Sequence, residues 1–308
     1  MITSAALVAA ALAEGFDLAG VCSPAVEAVD RMAWQRFVAL GYDVGMPFLR
    51  QTHQARERGA AGLIARARSV LVVARSYRRP ELDRAGLAVA RYALGKDYHL
   101  VLRRDLARMM FRVRDQAPGL DYRLCVDTSP LLERALARQA GLGWIGHNGM
   151  LISRPLGSYT LLGAVILDLD LEPLPALDEA SAPGCGRCTA CMTACPTGAI
   201  VAPAVVDPRR CISYWTIEHR GRFSADTPDL DGWVFGCDRC QEICPVSGGD
   251  RLGRDPRLEP RAGLRALDAQ AILELDDKNL RARIAGSPVT RAGLAGLRRN
   301  ARWIAKRR

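Results

Sequence analysis

Cysteines are the residues of this chain with the clearest capacity for chemistry, and eight of the ten lie within residues 185–244. The run "CGRCTACMTACP" separates its cysteines by two, two and three residues and ends on a proline; they are Cys185, Cys188, Cys191 and Cys195. Bacterial ferredoxins have this spacing: three thiolates bind one 4Fe–4S cluster and the fourth binds a neighbouring cluster. The run therefore predicts iron–sulfur chemistry and electron transfer.

A second group of cysteines also ends in a Cys-Pro step and brings the total to eight thiols, enough for two clusters. Its members are Cys211, Cys237, Cys240 and Cys244. Crossed ligation of the ferredoxin type assigns Cys185, Cys188, Cys191 and Cys244 to one cluster and Cys195, Cys211, Cys237 and Cys240 to the other. Two structural zinc sites are the alternative, because Cys-x-x-Cys also suits zinc, but zinc does not account for the complete four-cysteine run.

The cysteine segment needs a scaffold, and the residues before it alternate between strand-like and helical patterns. Short β-rich runs bounded by turn residues occupy 69–77, 121–127, 150–154 and 159–171. Apolar spacing predicts helices over 97–116 and 129–141, the second with Ser129 as N-cap and Pro130 in its first turn. Cys22 and Cys125 lie in apolar surroundings and are predicted to be small buried residues. The mixture predicts an α/β or α+β domain.

Changes in composition divide the chain into three predicted parts. Residues 1–170 form the larger domain, residues 171–250 carry the cysteines after a Pro-rich connector over 171–184, and short helices broken by Gly and Pro fill 251–308. The apolar run 5–13 has no basic residue before it, which favours a first helix over a signal peptide. We therefore predict a cytoplasmic protein with reduced thiols and, in the absence of a heptad pattern, a monomer.

Positive charge is concentrated at one end of the chain. The net charge is +10, and the last 58 residues hold fifteen Lys and Arg against six Asp and Glu. A basic terminal segment indicates a polyanionic partner, with nucleic acid first, although a solvated arginine-rich helical surface would look the same. No P-loop or convincing Gly-x-Gly-x-x-Gly follows a strand, so the sequence carries no nucleotide-binding fingerprint.

Several long motifs, in one order, resemble the epoxyqueuosine reductases, a family of iron–sulfur and cobalamin enzymes of tRNA modification. The most specific are "GKDYH", "VDTSPLLERALA", "GLGWIGHN", "CGRCTACMTACPTGAI", "RRCISYWTIEHRG", "FGCDRCQEICP" and "GSPVTRAG" followed by "RRNA". Together they cover nearly the whole chain. Two features differ: the family's HEAT-like helical extension after "RRNA" is absent from this sequence, and His147-Asn148 stands where Lys-Asn is common.

The resemblance implies reduction of epoxyqueuosine to queuosine at the wobble position of tRNA, the last step of queuosine biosynthesis. It also implies an α+β fold, with a nitroreductase-like cobalamin-binding domain before a ferredoxin-like domain that holds two 4Fe–4S clusters and a short helical segment. Electrons from an external donor would pass through the clusters to cobalamin. Reductive opening of an epoxide leaves an alkoxide-like oxygen, so a proton must be supplied by a positioned acid.

The resemblance assigns that acid to Asp127, whose pKa we expect burial to raise so that it stays protonated near neutrality. It places Tyr98, Arg134, Asn148 and Ser213 at pocket and cofactor-binding positions, and Arg220 and Arg222 at tRNA-binding positions. Without the resemblance, Asp127 reads equally well as a helix-entry residue. The family binds cobalamin without a protein histidine on cobalt, so no histidine is assigned a role.

Two other functions fit parts of the sequence. A cobalamin and iron–sulfur reductase of a small molecule, similar to reductive dehalogenases, would use the same cofactors but would not require a nucleoside within an anticodon stem-loop. A non-catalytic electron-transfer protein would hold iron and sulfide without a corrin, and it would tolerate loss of the Asp127 carboxylate.

Overall fold

A four-stranded antiparallel sheet lies at the centre of the N-terminal half in the computed structural model, which describes residues 2–82, 87–178 and 183–307. Its strands are β1 (Leu18–Cys22), β2 (Ser69–Ser76), β3 (Tyr122–Cys125) and β6 (Thr160–Leu167), in the order β1-β2-β6-β3. Strand β2 pairs with β6 along its full length, from Ser69 opposite Leu167 to Ser76 opposite Thr160. The predicted strands at 69–77, 121–127 and 159–171 are confirmed.

Both faces of the sheet are covered, which is why every residue of β2 is buried. Alternate residues of a strand point to opposite faces. Leu71 and Val73 belong to one apolar cluster with residues of helices α1 (Ser4–Ala13) and α5 (Tyr98–Arg114). Val70 and Val72 pack on the other face with α6 (Glu133–Gln139). The fold class is α+β, as predicted from the resemblance.

Three further helices precede the second strand: α2 (Ala28–Ala39), α3 (Pro47–Gln51) and α4 (His53–Arg58). Helix α5 begins where predicted, because the Asp97 carboxylate caps it by accepting a hydrogen bond from the backbone N–H of His99. Helix α6 does not. It begins at Glu133, four residues after the predicted N-cap Ser129, because residues 127–132 form a tight loop instead of a first helical turn.

The cysteine-bearing part consists of short elements. Two-residue strands β4 (Trp144–Ile145) and β5 (Leu151–Ile152) form a hairpin before it, and β7 (Ile200–Ala202) pairs with β8 (Val205–Val206) within it. Helices α7 (Ala190–Ala194) and α8 (Arg239–Glu242) pack against each other. A π-helical turn spans Tyr214–Glu218 between them in sequence. Residues 179–182 of the predicted connector lie outside the described residues.

Helices α9 (Ala262–Arg265), α10 (Ala269–Glu274), α11 (Asp277–Ile284) and α12 (Gly293–Ala305) form the predicted helical end of the chain. They share one apolar core with residues 87–94 and with residues 212–237. The buried amide of Asn300 on α12 donates to the carbonyls of Thr216 and Val234. The C-terminal helices therefore hold the π-helical turn in place. Within the described ranges, no helix has both the length and the apolar character needed to cross a membrane.

Candidate functional site

Asp127 lies in the loop that joins β3 to α6, with a backbone conformation that only glycine adopts freely. Its φ is 56°, and its backbone N–H donates to Oε1 of Glu133 at 2.5 Å. The buried guanidinium of Arg56 donates from Nη1 to the carbonyl of Leu131 at 2.6 Å and fixes the same loop from the other side. Glu133 and Arg56 thus hold a strained loop that presents the Asp127 carboxylate.

The Asp127 carboxylate reaches back to the start of α5. Its Oδ2 is 3.0 Å from Nε2 of His99, and Nδ1 of the same ring is 2.7 Å from Oδ1 of Asp97. The His99 ring also stacks on Tyr98, with centroids 4.1 Å apart. With both carboxylates ionised, each is an acceptor only, so both ring nitrogens donate. The geometry then suits the imidazolium form of His99.

The electrostatics of the site correct the expectation for Asp127. Partial burial raises the pKa of its carboxyl, but the hydrogen bond from His99 and the positive charges of His99 and Arg291 outweigh burial and hold the pKa below its usual range. Conversely, burial lowers the pKa of His99, but the hydrogen bonds to Asp127 and Asp97 raise it by more than burial lowers it. The net result is a pKa of about 9. The proton at neutral pH therefore resides on His99, and Asp127 is ionised.

Tyr98 and Arg134 flank the Asp127 carboxylate. Tyr98, whose ring stacks on His99, lies close enough to Asp127 to help lower the pKa of its carboxyl, and Arg134 donates to the carbonyl of Gly149. Protein atoms surround Arg134 on most sides, yet its side chain is exposed to solvent. The side chain of Asp127 is also accessible, with 57% of its surface exposed. The two charged groups therefore lie in an open cleft rather than on a convex surface.

The segment after α6 connects this cleft to the cysteines. Asn148 is buried, with 5% exposure. Its Nδ2 donates to the carbonyl of Cys240 at 3.4 Å, and its Oδ1 accepts a hydrogen bond from the backbone N–H of Met150. The backbone N–H of His147 points at Sγ of Cys185, 3.4 Å away. The predicted cofactor position Asn148 thus bridges the two halves of the molecule.

The structure brings the eight predicted cysteines together as two interleaved groups. Burial and the neighbouring thiols of Cys185, Cys244 and Cys188 raise the pKa of Cys191. Burial and then Cys211 and Cys240 raise the pKa of Cys237, and Cys195 adjoins Cys211. Cys244 therefore lies near the first run and Cys195 near Cys211, while Cys240 has Cys191 as well as Cys211 and Cys195 among its neighbours.

Backbone amides point at one of these sulfurs. Burial raises the pKa of Cys195, but N–H groups of Thr197, Ala199 and Ile200 lower it more, and the amide of Ala199 is 3.2 Å from Sγ. Hydrogen bonds of this kind tune the potentials of iron–sulfur clusters. Among the residues that the structure describes, no three His, Cys, Asp or Glu side chains form a group arranged to hold a metal ion. A 4Fe–4S cluster is ligated differently, since each thiolate binds a separate iron of the cube.

Ser213, Arg220 and Arg222 lie at or beside the π-helical turn. Ser213 immediately precedes the turn, and its carbonyl accepts from Thr216 Oγ1. Arg220 donates to the carbonyls of Ile217 and Arg291 while remaining exposed, and Arg222 is exposed as well. The two predicted tRNA contacts are therefore adjacent on one surface.

Sequence reasoning missed the residues that control Asp127: Asp97, His99, Glu133, Arg56 and Arg291. Asp97 and His99 lie inside the quoted motif "GKDYH", and the two-residue spacing of a capping Asp and a His is a local signal that could have marked them. The contact of His99 with Asp127 spans 28 residues and depends on how α5 packs on the sheet. Arg291 comes from the opposite end of the chain, where the sequence shows only another arginine.

The fold and the thiol groups define the class. A family model described as "4Fe-4S double cluster binding domain" matches residues 184–247, so the chain is an α+β iron–sulfur protein with a double-cluster domain. A second family model, described as "Epoxyqueuosine reductase QueG, DUF1730", matches residues 58–128.

Relatives extend the likeness to nearly the whole chain. The epoxyqueuosine reductase of Synechocystis sp. is 37% identical over 281 residues, which cover 89% of this chain and 94% of the relative. That of Gloeobacter violaceus is 38% identical, with 97% and 95% covered. The chain belongs to the epoxyqueuosine reductase family. A solved epoxyqueuosine reductase with an epoxyqueuosine-modified tRNA-Tyr stem loop superposes with a TM-score of 0.83 at 26% identity, covering 97% of this chain and 79% of that one.

Proposed function

We propose that this chain reduces epoxyqueuosine to queuosine in tRNA, with two 4Fe–4S clusters and cobalamin as cofactors and Asp127 as the group that delivers the proton. The observation that carries the proposal is the Asp127 carboxylate in an open cleft, joined through Asn148 to two interleaved groups of four cysteines. Family membership supports the reaction, and the solved relative with a modified stem loop supports tRNA as the partner.

The thiols suit the proposed clusters. One ligand set is Cys185, Cys188, Cys191 and Cys244, and the other is Cys195, Cys211, Cys237 and Cys240. Four thiolates per cluster is the ligation that a 4Fe–4S cube requires, and the amides around Cys195 suit a sulfur that carries negative charge.

The open cleft suits a large cofactor with many polar groups. We propose that Tyr98, Arg134 and Ser213 contact cobalamin, and that Asn148, which is buried, fixes the loop that borders it. When bound, cobalamin and the clusters supply the two reducing electrons. Tyr98 and Arg134 orient the substrate beside Asp127, which passes a proton to the oxygen that leaves carbon.

On the outer surface, we propose that Arg220 and Arg222 contact phosphates of the anticodon arm. The guanidinium of Arg220 is held at the π-helical turn by two backbone carbonyls, so its position is fixed before tRNA binds. We also expect an external electron donor and a monomeric protein.

The test is anaerobic turnover of an epoxyqueuosine-modified stem loop by protein reconstituted with iron, sulfide and cobalamin. Wild type should hold about eight irons per chain, and Asp127→Asn should lower kcat by about 10²–10⁴-fold at unchanged iron content. The matched control is Asp115→Asn, an exposed aspartate at the far end of α5, which should retain full activity. Full activity in Asp127→Asn would contradict the assignment.

A small-molecule substrate remains the second candidate because the cleft is open to solvent. The free nucleoside and the modified stem loop separate the two functions. Equal kcat/KM for both would favour the small-molecule reductase, whereas turnover confined to the stem loop supports the tRNA enzyme.

A further inference from the structure

Asp127 cannot deliver a proton unless another group supplies it, because its surroundings keep it ionised at neutral pH. The carboxylate hydrogen-bonds to His99 and lies near Tyr98 and the positive charge of Arg291. A proton-bearing group in direct contact with Asp127 can load the carboxylate for this step.

His99 meets this requirement by position. Its Nε2 is 3.0 Å from Asp127 Oδ2, and its Nδ1 is 2.7 Å from Asp97 Oδ1, so the imidazole lies between two carboxylates. The ring is neither buried nor fully exposed, with 27% of its side chain accessible. A proton on Nε2 can thus pass to Asp127, and the ring can be reprotonated from solvent.

We propose that His99 is a proton relay that loads Asp127 from solvent, and that it does so for both protons consumed in each turnover. The proposal rests on the proposed function. Reduction of an epoxide by two electrons consumes two protons, whether one C–O bond breaks to give an alcohol or both break to give an alkene and water. The electrons come one at a time from the external donor, and one acid at the site has to be reloaded between the two protonations.

The relay works in a fixed order. The Nε2 proton of His99 first moves to Asp127 Oδ2, and Asp127 then passes that proton to the substrate oxygen and returns to its ionised form. The ring is then neutral, with its remaining proton on Nδ1 held by Asp97. Solvent returns a proton to Nε2, and the cycle repeats for the second proton. Asp97 keeps the ring oriented and stabilises its charged form.

Other titratable and charged groups also face this pair and set its charge. Asp127 interacts electrostatically with these groups, which are Tyr98, Arg291, Glu133, Arg56, Arg134, Tyr92 and Asp97. The two acceptors Asp97 and Asp127 contact the ring itself and favour its protonated form, with a pKa of about 9. Because that pKa is raised from about 6.5, the ring carries its proton across the neutral range and loses it as pH rises through about 9.

The experiment is the pH profile of kcat for His99→Gln, with reconstituted protein and the modified stem loop. Glutamine still donates a hydrogen bond to Asp127 but carries no transferable proton, so kcat at pH 7.5 should fall about 10²-fold or more. Wild-type kcat should decline above about pH 9. In His99→Gln, kcat should instead rise steadily as pH falls from 8 to 5, and added imidazole should restore part of the rate.

Controls separate a relay from a structural role. His53→Gln changes a histidine on α4 that accepts from Trp34, away from the cleft, and should leave the profile unchanged. Asp97→Asn should move the alkaline decline to lower pH. Two outcomes for His99→Gln overturn the relay but not the proposed function. One is a wild-type pH profile of kcat, and the other is an equal loss of kcat at every pH without rescue by imidazole. A wild-type protein that fails to reduce the stem loop overturns the proposed function, and the relay with it.

Discussion

Glu133 is the residue whose protonation state most affects the shape of the Asp127 loop. Burial and the negative charge of Asp127 raise its pKa from 4.5 to about 8, while its Oε1 accepts the Asp127 N–H. The carboxyl is therefore mostly protonated at neutral pH. A protonated Glu133 adds no second negative charge beside Asp127. It still accepts the hydrogen bond from the Asp127 N–H, which helps to hold Asp127 at its positive φ.

The pH dependence of stability tests this assignment. Because the pKa of Glu133 is raised on folding, the folded state loses stability as pH rises from about 4.5 to about 8. Glu133→Gln cannot ionise but still accepts the hydrogen bond. The thermal midpoint of the variant, relative to that of wild type, should therefore increase progressively between pH 5 and pH 9. The exposed Glu259→Gln serves as the control and should run parallel to wild type. A constant offset for Glu133→Gln would contradict the raised pKa.

Local sequence signals were enough for some residues and insufficient for others. The cysteine spacing predicted two groups of thiols, whereas Asp127, which was expected to be buried, has a side chain that is 57% exposed in a loop. The start of α6 was predicted wrongly from Ser129 and Pro130, because the preceding loop is fixed by a long-range hydrogen bond from Arg56 and a local one to Glu133. Such contacts depend on tertiary packing, which propensity does not encode.

At the scale of elements, the π-helical turn Tyr214–Glu218 depends on α12. Asn300 supplies two amide hydrogen bonds to carbonyls, and Arg299 donates to the carbonyls of Trp215, His219 and Gly221. A π-helical turn leaves backbone groups out of register and is frequent at functional sites. Here the groups around it are satisfied by side chains from a helix about 80 residues later.

Removal of the Asn300 amide should therefore destabilise the protein. Asn300→Ala leaves the buried carbonyls of Thr216 and Val234 without these donors, which should cost roughly 2–4 kcal/mol and lower the thermal midpoint. Asn279→Ala, at an exposed helix start, removes an amide of the same kind and should cost clearly less. Equal losses for the two variants, measured by anaerobic denaturation, would show that α12 does not support the turn.

At the scale of the whole molecule, much of the C-terminal positive charge is used inside the protein. Arg257 pairs with Asp105 and Asp255, Arg291 pairs with Glu218, and Arg298 binds Asp277 and backbone carbonyls. Arg261 donates to two carbonyls as well. The surplus of positive charge in the sequence therefore overstates the charge available to a polyanion.

Salt dependence of stem-loop binding measures the charge that is available. Each phosphate contact contributes close to one unit to the slope of log K against log salt. Arg222→Ala removes an exposed side chain at the proposed surface and should lower the slope by about 1 with unchanged stability. Arg257→Ala breaks internal ion pairs, so it should lower stability and leave the slope unchanged. The opposite pattern would move the interface away from the π-helical turn.

The interleaving of the cysteines also sets an order for biosynthesis. Cys191 lies with Cys244, and Cys195 adjoins Cys211, so each group of thiols joins residues far apart in the chain. A nascent chain on the ribosome exposes the first run long before the last cysteines emerge, and at that stage neither ligand set is complete. If the clusters are ligated as proposed, we expect their insertion to be a late event in the life of the chain, and a chain released before Cys237 to complete neither set.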